Sequence, residues 1–196
     1  MMKRATGFTL IELMIAIVIV AVLLAIAMPS FRTFLLNAQI RSASESMHAG
    51  LNLARTESLK RNARVSMWLV NGISAACART ATGTSWVVSV DNPASACNAI
   101  SSFTASPRLV QSRAGSDGSG SVSVTAVNAG GTAASCITFN GFGGVEPTCT
   151  GGDAPIASIR FASSDASTRT LQVSIVGGSV RTCNPAITDP NDPAIC

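Results

Sequence analysis

Hydrophobic residues along the chain follow three successive patterns. An apolar run extends from Phe8 to Met28 and is interrupted only by Glu12. Beyond it, apolar residues recur every three or four positions to about residue 62, and short runs rich in Val, Ile and Thr follow. The three patterns predict, in order, a membrane-length helix, an amphipathic helix and a β-rich domain.

The first run is long enough to cross a bilayer. Its 21 residues would rise about 30 Å as an α-helix, the thickness of the hydrocarbon core. The preceding Lys3 and Arg4 favour a cytoplasmic N-terminus. A carboxylate at a bilayer centre costs about 2.5–3.5 kcal/mol, and is by default a functional-site hypothesis. We therefore expect Glu12 to have a partner.

The amphipathic segment runs from Ser30 to about Asn62. Its apolar stripe is formed by Leu36, Ile40, Ala43, Met47, Leu51 and Ala54. Such a stripe predicts that one helix face packs against a sheet. Glu57 and Arg61 have the favourable i,i+4 order, and Asn62 is the predicted helix stop.

The remainder predicts a β-rich domain of about 132 residues. Turn signals separate the candidate strands, and Gly177-Gly178 is predicted to join the last two as a hairpin. The Gly/Ser stretch from Ala114 to Ser121 predicts a flexible loop. The seven candidate strands are Val65–Val70, Ser85–Val90, Val122–Val127, Cys136–Phe139, Ile156–Phe161, Leu171–Val176 and Ser179–Cys183.

Composition argues against several functions. The net charge is +4, yet the part from Val65 onward has six arginines against seven carboxylates, which does not suit a nucleic-acid-binding domain. His48 is the only histidine and has no evident acid or nucleophile beside it. The glycines at 141, 143 and 144 do not lead a strand into a helix, so a phosphate loop is not indicated. We expect no enzyme, no cofactor and no metal.

Six cysteines follow the apolar run. No two have C-x-x-C spacing, so a zinc site has little support. An even number on the translocated side predicts disulfides, with 15 possible connectivities. Modest loop lengths favour sequence neighbours, and the last pair would hold the C-terminal tail. The candidate pairs are Cys77 with Cys97, Cys136 with Cys149, and Cys183 with Cys196.

The N-terminus resembles the class III signal of type IV prepilins and type II secretion pseudopilins. The resemblance rests on a short basic leader ending in Gly7, the sequence Phe-Thr-Leu-Ile-Glu-Leu from Phe8, and about twenty apolar residues. It implies that a prepilin peptidase cuts after Gly7 and methylates Phe8. It also implies that Glu12, the fifth mature residue, pairs with a neighbouring subunit's N-terminal amine, and that Pro29 marks a helix kink.

The rest of the chain resembles the GspH/FimT group of minor pilins and pseudopilins, including its FimU-like members. The matching segments are residues 54–58, 61–65, 137–143 and 178–185. The resemblance implies an α+β, pilin-like fold in which a long N-terminal α-helix packs on a β-rich head. The expected regions are a leader (1–7), a transmembrane and assembly helix (8–29), an amphipathic helix continuing into the head (30–64), and a periplasmic head (65–196).

The implied function is structural. A minor pilin of this kind would prime or cap type IV pilus assembly and support pilus-dependent motility. The alternative is the minor pseudopilin H of the type II protein secretion system. Implied partners are other minor and major pilins or pseudopilins, the inner-membrane assembly platform, the prepilin peptidase and membrane lipid. The implied location is the bacterial inner membrane, with the head in the periplasm, and then the pilus or pseudopilus.

Two simpler interpretations of the N-terminus remain open. Ala25-Ile26-Ala27 has the spacing of an ordinary signal-peptidase site, which would make the chain a secreted protein. The apolar run could also be an uncleaved membrane anchor. The run is longer than the usual apolar region of about 7–15 residues in a signal peptide. Neither interpretation explains Gly7-Phe8 together with Glu12.

DNA uptake is the third functional possibility. Some FimT-like proteins take up DNA through a C-terminal Gly-Arg-x-Arg motif. The equivalent positions here read Gly178-Ser179-Val180-Arg181, so the first arginine is absent. Phosphate binding depends on clustered cations, and Arg181 alone remains as a candidate contact. We do not expect DNA as a partner.

Overall fold

The computed structural model describes residues 8–196, so Gly7 lies outside the described part of the chain. One long helix, α1 (Leu10–Arg61), precedes eight strands. The strands are β1 (Val65–Val70), β2 (Ser85–Ser89), β3 (Leu109–Arg113), β4 (Ser123–Val127), β5 (Cys136–Phe139), β6 (Ser158–Ala162), β7 (Leu171–Val176) and β8 (Ser179–Cys183).

The described residues form two compact units that divide between Leu35 and Leu36, and α1 contributes to both. In the first unit the large apolar side chains of the helix are exposed. By length and composition, α1 is able to cross a membrane. The helix continues through position 29, so Pro29 does not end it, and the bend expected there stays a prediction.

In the second unit, α1 buries the apolar stripe that its sequence spacing predicts. Leu36 is partly buried, and the five following stripe residues are almost fully buried. Burial of each large aliphatic side chain contributes about 1.5–3 kcal/mol. The helix therefore supplies one layer of the main core. The five residues are Ile40, Ala43, Met47, Leu51 and Ala54.

The first sheet is antiparallel, with the strand order β3-β2-β1-β5. One face of this sheet lies in the main core together with α1. Alternate residues of β1, β2 and β5 form that face, and in β1 they are the odd-numbered ones. Trp86 shows how closely the layers approach, because its Nε1 donates to Ser46 Oγ at 2.9 Å. A methyl group at Gly50 would lie only 3.0 Å from the Trp86 ring. Glycine at position 50 thus allows the helix to lie directly on the tryptophan.

The opposite face of the first sheet is also buried. A second apolar cluster there contains Trp68, Val70, Val87 and Leu109, together with two cystine pairs. The pairs are Cys77–Cys97 and Cys136–Cys149. We call this cluster the cystine layer. Burial on both faces explains why β1, β2 and β5 are buried at every residue.

The second sheet is antiparallel, with the order β4-β6-β7-β8. Here burial alternates along the strands, as expected for a sheet with one face toward the core and one toward solvent. In β4, for example, Val124 and Ala126 are buried while Ser123 and Thr125 are exposed. The main core therefore lies among α1 and the inner faces of the two sheets.

Two chain reversals use backbone conformations with positive φ. Asn62 has φ of 47° directly after α1, which confirms it as the left-handed residue that ends the helix. The β7–β8 hairpin turns at Gly177 and Gly178, with φ of 58° and 88°. A two-residue hairpin with positive φ at both positions favours glycine.

Strand β3 was not predicted. Leu109–Arg113 contains Gln, Ser and Arg, and only its first residue is buried, so the sequence carries no strand-like apolar alternation. It is an edge strand that pairs with β2, and the register of this pairing shifts between Val88 and Ser89. The neighbouring Gly/Ser stretch is also less free than predicted. Gly115 is buried, and its N–H donates to Ser85 Oγ at 2.9 Å.

Candidate functional site

Two of the N-terminal candidates, Phe8 and Glu12, lie at the start of α1. Phe8 is exposed just before the helix, and the Thr9 carbonyl accepts the first helical hydrogen bond from Leu13 at 3.2 Å. The Glu12 N–H donates to Thr9 Oγ1 at 3.3 Å, and the Thr9 N–H donates to Glu12 Oε2 at 3.5 Å. This reciprocal pair is a capping box.

The capping box gives Glu12 a role within the single chain. Its carboxylate lies at the positive end of the helix macrodipole, which favours a negative charge. Within residues 8–196, no Lys, Arg or His side chain forms an ion pair with Glu12. The carboxylate is thus held in the first turn of α1 by the Thr9 N–H. This cap was not predicted, although Thr9-x-x-Glu12 has the sequence signature of a capping box.

The cysteines form the three pairs that sequence proximity favoured. Cys77–Cys97, Cys136–Cys149 and Cys183–Cys196 are separated by 20, 13 and 13 positions along the sequence. The first two pairs lie in the cystine layer. The third closes the C-terminal tail, where Cys183 is buried and Cys196 is exposed.

Arg181 contacts that same tail. Its Nη2 donates to the carbonyl oxygens of Ile195 at 2.9 Å and Cys196 at 3.3 Å. The Asn184 N–H adds a hydrogen bond of 2.7 Å to the Ala194 carbonyl. These contacts give Arg181 a structural role in holding the tail against β8. A DNA contact by Arg181 stays an untested prediction.

His48 also has a structural environment. Its Nδ1 lies 3.1 Å from Asn52 Nδ2, and its Nε2 lies 3.4 Å from the Val180 carbonyl oxygen. The ring therefore bridges α1 and β8. Among the described residues, no group of three His, Cys, Asp or Glu side chains is placed to hold a metal ion.

A cavity of about 520 Å³ lies beside the cystine layer. Small side chains form most of its wall, and its charged groups are Arg79 and Asp153, which form an ion pair with each other. The Arg79 guanidinium also lies over the Trp68 ring, 5.4 Å from its centre. The two charges of this cavity therefore satisfy each other within the chain.

Two models of known protein families match different parts of the chain. The model for the prokaryotic N-terminal methylation motif matches residues 2–28. The model described as type II transport protein GspH matches residues 43–179. No curated protein matches the chain.

Two solved structures are similar to part of the chain. Both are the type IV minor pilin FimU of Pseudomonas aeruginosa, in space groups P21 and P65. Each is 16% identical, with a TM-score of 0.45 over 72% of this chain. The alignments cover 86% and 90% of those chains.

Proposed function

The chain belongs to the GspH family, and from that premise we propose that it is a minor pilin that primes or caps a type IV pilus. The observation that carries the proposal is the joining of a prepilin-type methylation motif to a GspH domain in one chain. A membrane-length apolar helix connects them. Family membership implies a structural subunit that assembles with other pilins or pseudopilins, and we propose no catalytic role.

Maturation would create the assembly site. We propose that a prepilin peptidase removes residues 1–7 by cutting after Gly7, and that Phe8 becomes the N-methylated first residue. The Thr9–Glu12 capping box then holds a carboxylate one helical turn from the new amine. A neighbouring subunit's N-terminal amine is a suitable partner because, in an apolar filament core, an unpaired carboxylate is strongly unfavourable.

The proposed location is the inner membrane, with the head in the periplasm. The apolar surface of α1 in the first unit suits contact with lipid and later with other assembly helices. Three disulfides in the second unit suit an oxidising compartment. The inner-membrane assembly platform would then transfer the subunit into the growing filament.

A second candidate function is the minor pseudopilin H of type II secretion. The description of the matching family, type II transport protein GspH, favours it. Both functions use the same N-terminal processing and assembly helix, so these features do not separate them. DNA uptake ranks third, because Arg181 is engaged with the C-terminal tail.

Deletion of the gene tests whether the chain acts in the type IV pilus or in the type II secretion system. We expect an in-frame deletion to abolish or strongly reduce surface pili and twitching motility, while secreted type II substrates reach the medium at normal levels. Complementation with the full chain should restore the pili. Loss of secretion with normal piliation would instead assign the chain to the type II system. Normal piliation together with normal secretion would contradict both assignments.

A further inference from the structure

Exposed apolar side chains surround the C-terminal end of α1. Phe142 is 90% exposed, Phe103 is 79%, Val176 is 76% and Leu59 is 48%. We call Leu59, Phe142 and Val176 the helix-end surface. Single exposed apolar residues are ordinary, but a contiguous group marks an interaction site.

Close approaches at Gly143 and Gly178 bring these three residues together. A methyl group at Gly143 would lie 3.3 Å from Leu59 Cδ2, so the loop carrying Phe142 packs on the end of the helix. A methyl group at Gly178 would collide with the Gly143 carbonyl oxygen. The hairpin that carries Val176 therefore abuts the same loop.

Phe103 lies apart from this surface, beside Arg61. The Arg61 guanidinium lies over the Phe103 ring, 4.7 Å from its centre. Arg61 is in the last turn of α1, two residues after Leu59. Phe103 lies near the β3 edge of the first sheet, whereas Phe142 follows β5 at the opposite edge, and Phe103 is not part of the helix-end surface.

Cations outnumber carboxylates around the C-terminal end of α1. Glu57 forms ion pairs with Lys60 at 3.2 Å and Arg61 at 2.9 Å. Desolvation acts to raise the pKa of Glu57, but hydrogen bonds from Arg61 and Lys60 outweigh it and hold the pKa below its usual value. Arg64 pairs with Glu146 at 3.0 Å. This part of the head therefore has two carboxylates and four cations, and the fourth cation is Arg55.

Arg55 has no carboxylate partner among the described residues. Its Nε is buried without a hydrogen-bond partner, and a methyl group at Gly143 would lie 3.1 Å from that atom. A cation placed beside Leu59 and the Phe142 loop is typical of an interface anchor, where Arg and aromatic residues are enriched.

We propose that the helix-end surface docks the head of a different pilin-class subunit through an apolar patch that carries a carboxylate. The carboxylate would pair with Arg55, and the patch would cover Phe142 and Val176. A second copy of this chain is a poorer occupant, because two surfaces with an excess of cations would repel each other. This inference rests on the proposed assembly role and names the partner that the role requires.

Site-specific photocrosslinking in cells tests the proposal. The full chain, expressed in place of the native copy, carries a photoreactive residue at Phe142 or at Val176. A matched control carries it at Thr125, an exposed residue on the outer face of the second sheet. We expect positions 142 and 176 to crosslink to another protein that bears the N-terminal methylation motif, identified by mass spectrometry, and Thr125 to give at least about tenfold less.

Charge reversal provides the second arm. Arg55→Glu should lower the crosslinking yield at least about tenfold, the change expected when a close charge pair is lost. Arg160→Glu on the exposed face of β6 is the matched control. If Arg55→Glu lowers the amount of folded head, Phe142→Asp serves instead and is read from the crosslink at Val176, because the Phe142 side chain is almost fully exposed.

The outcomes distinguish this inference from the assembly role itself. Equal crosslinking at 142, 176 and 125, or crosslinking only to copies of this chain, would overturn the docking surface. If the gene deletion still removes pili, the assembly role survives that result. If the deletion leaves both pili and secretion intact, the assembly role fails independently of the crosslinking.

Discussion

Glu12→Gln is expected to abolish incorporation of the subunit into filaments while leaving the start of α1 intact. Glutamine at this position still accepts the hydrogen bond from the Thr9 N–H, because capping boxes use either Glu or Gln. Only the charge is lost. Removing one partner of a buried ion pair costs about 3–5 kcal/mol, so incorporation should fall by more than about a hundredfold. Quantitative immunoblotting of sheared pili against total membrane protein measures it.

The companion variants separate charge from helix capping. Glu12→Ala loses both the charge and the cap, and should insert in the membrane as well as the wild type or better. Glu45→Ala is the matched control, since Glu45 forms an exposed i,i+4 pair with Arg41 at 3.1 Å and such pairs contribute little. Normal pilus incorporation of Glu12→Gln as the sole copy, with Glu12→Ala defective, would assign Glu12 to capping and reject its role in assembly.

Replacing Cys136 and Cys149 together with alanine is expected to destabilise the head more than replacing Cys183 and Cys196. Both pairs close loops with the same 13-residue separation. The chain-entropy model therefore predicts a similar loss of about 3 kcal/mol for each. Cys136 and Cys149 are also buried in the cystine layer, so their truncation leaves a cavity. We expect about 5 kcal/mol in total.

Denaturant unfolding of the full chain in detergent, followed by tryptophan fluorescence, measures the difference. The signal is suitable because Trp68 lies in the cystine layer and Trp86 lies in the main core. The Cys183/Cys196 variant should keep a folded head but acquire a protease-sensitive tail, held only by the hydrogen bonds of Arg181 and Asn184. Equal losses of unfolding free energy in the two variants would show that the cystine layer adds nothing beyond loop closure.

The elements that the sequence predicted are those with a strong local signal. Ile40 through Ala54 repeat at helical spacing, and the same residues are buried. Four strands, β1, β5, β7 and β8, have the predicted bounds, because turn residues mark their ends. Asn62 ends α1 with a positive φ, as its side chain favours.

The features that escaped prediction depend on contacts distant in sequence. Strand β3 forms because β2 offers a free edge, a property that its own residues do not encode. The cystine layer needs Cys77, Cys97, Cys136 and Cys149 on one face of a sheet, and sequence spacing alone does not state which face. Arg55 had no distinguishing signal, because the loop that carries Gly143 approaches its Nε from a position distant in sequence.

The mass of the mature N-terminus tests the central claim most directly. Intact mass spectrometry of the chain recovered from membranes or sheared pili, with fragmentation of the N-terminal peptide, reads both the cleavage site and the modification. We predict a chain that begins at Phe8 with one added methyl group on its amine. A chain that begins at Met28, after the Ala25-Ile26-Ala27 site, would show an ordinary secreted protein and contradict the assembly role.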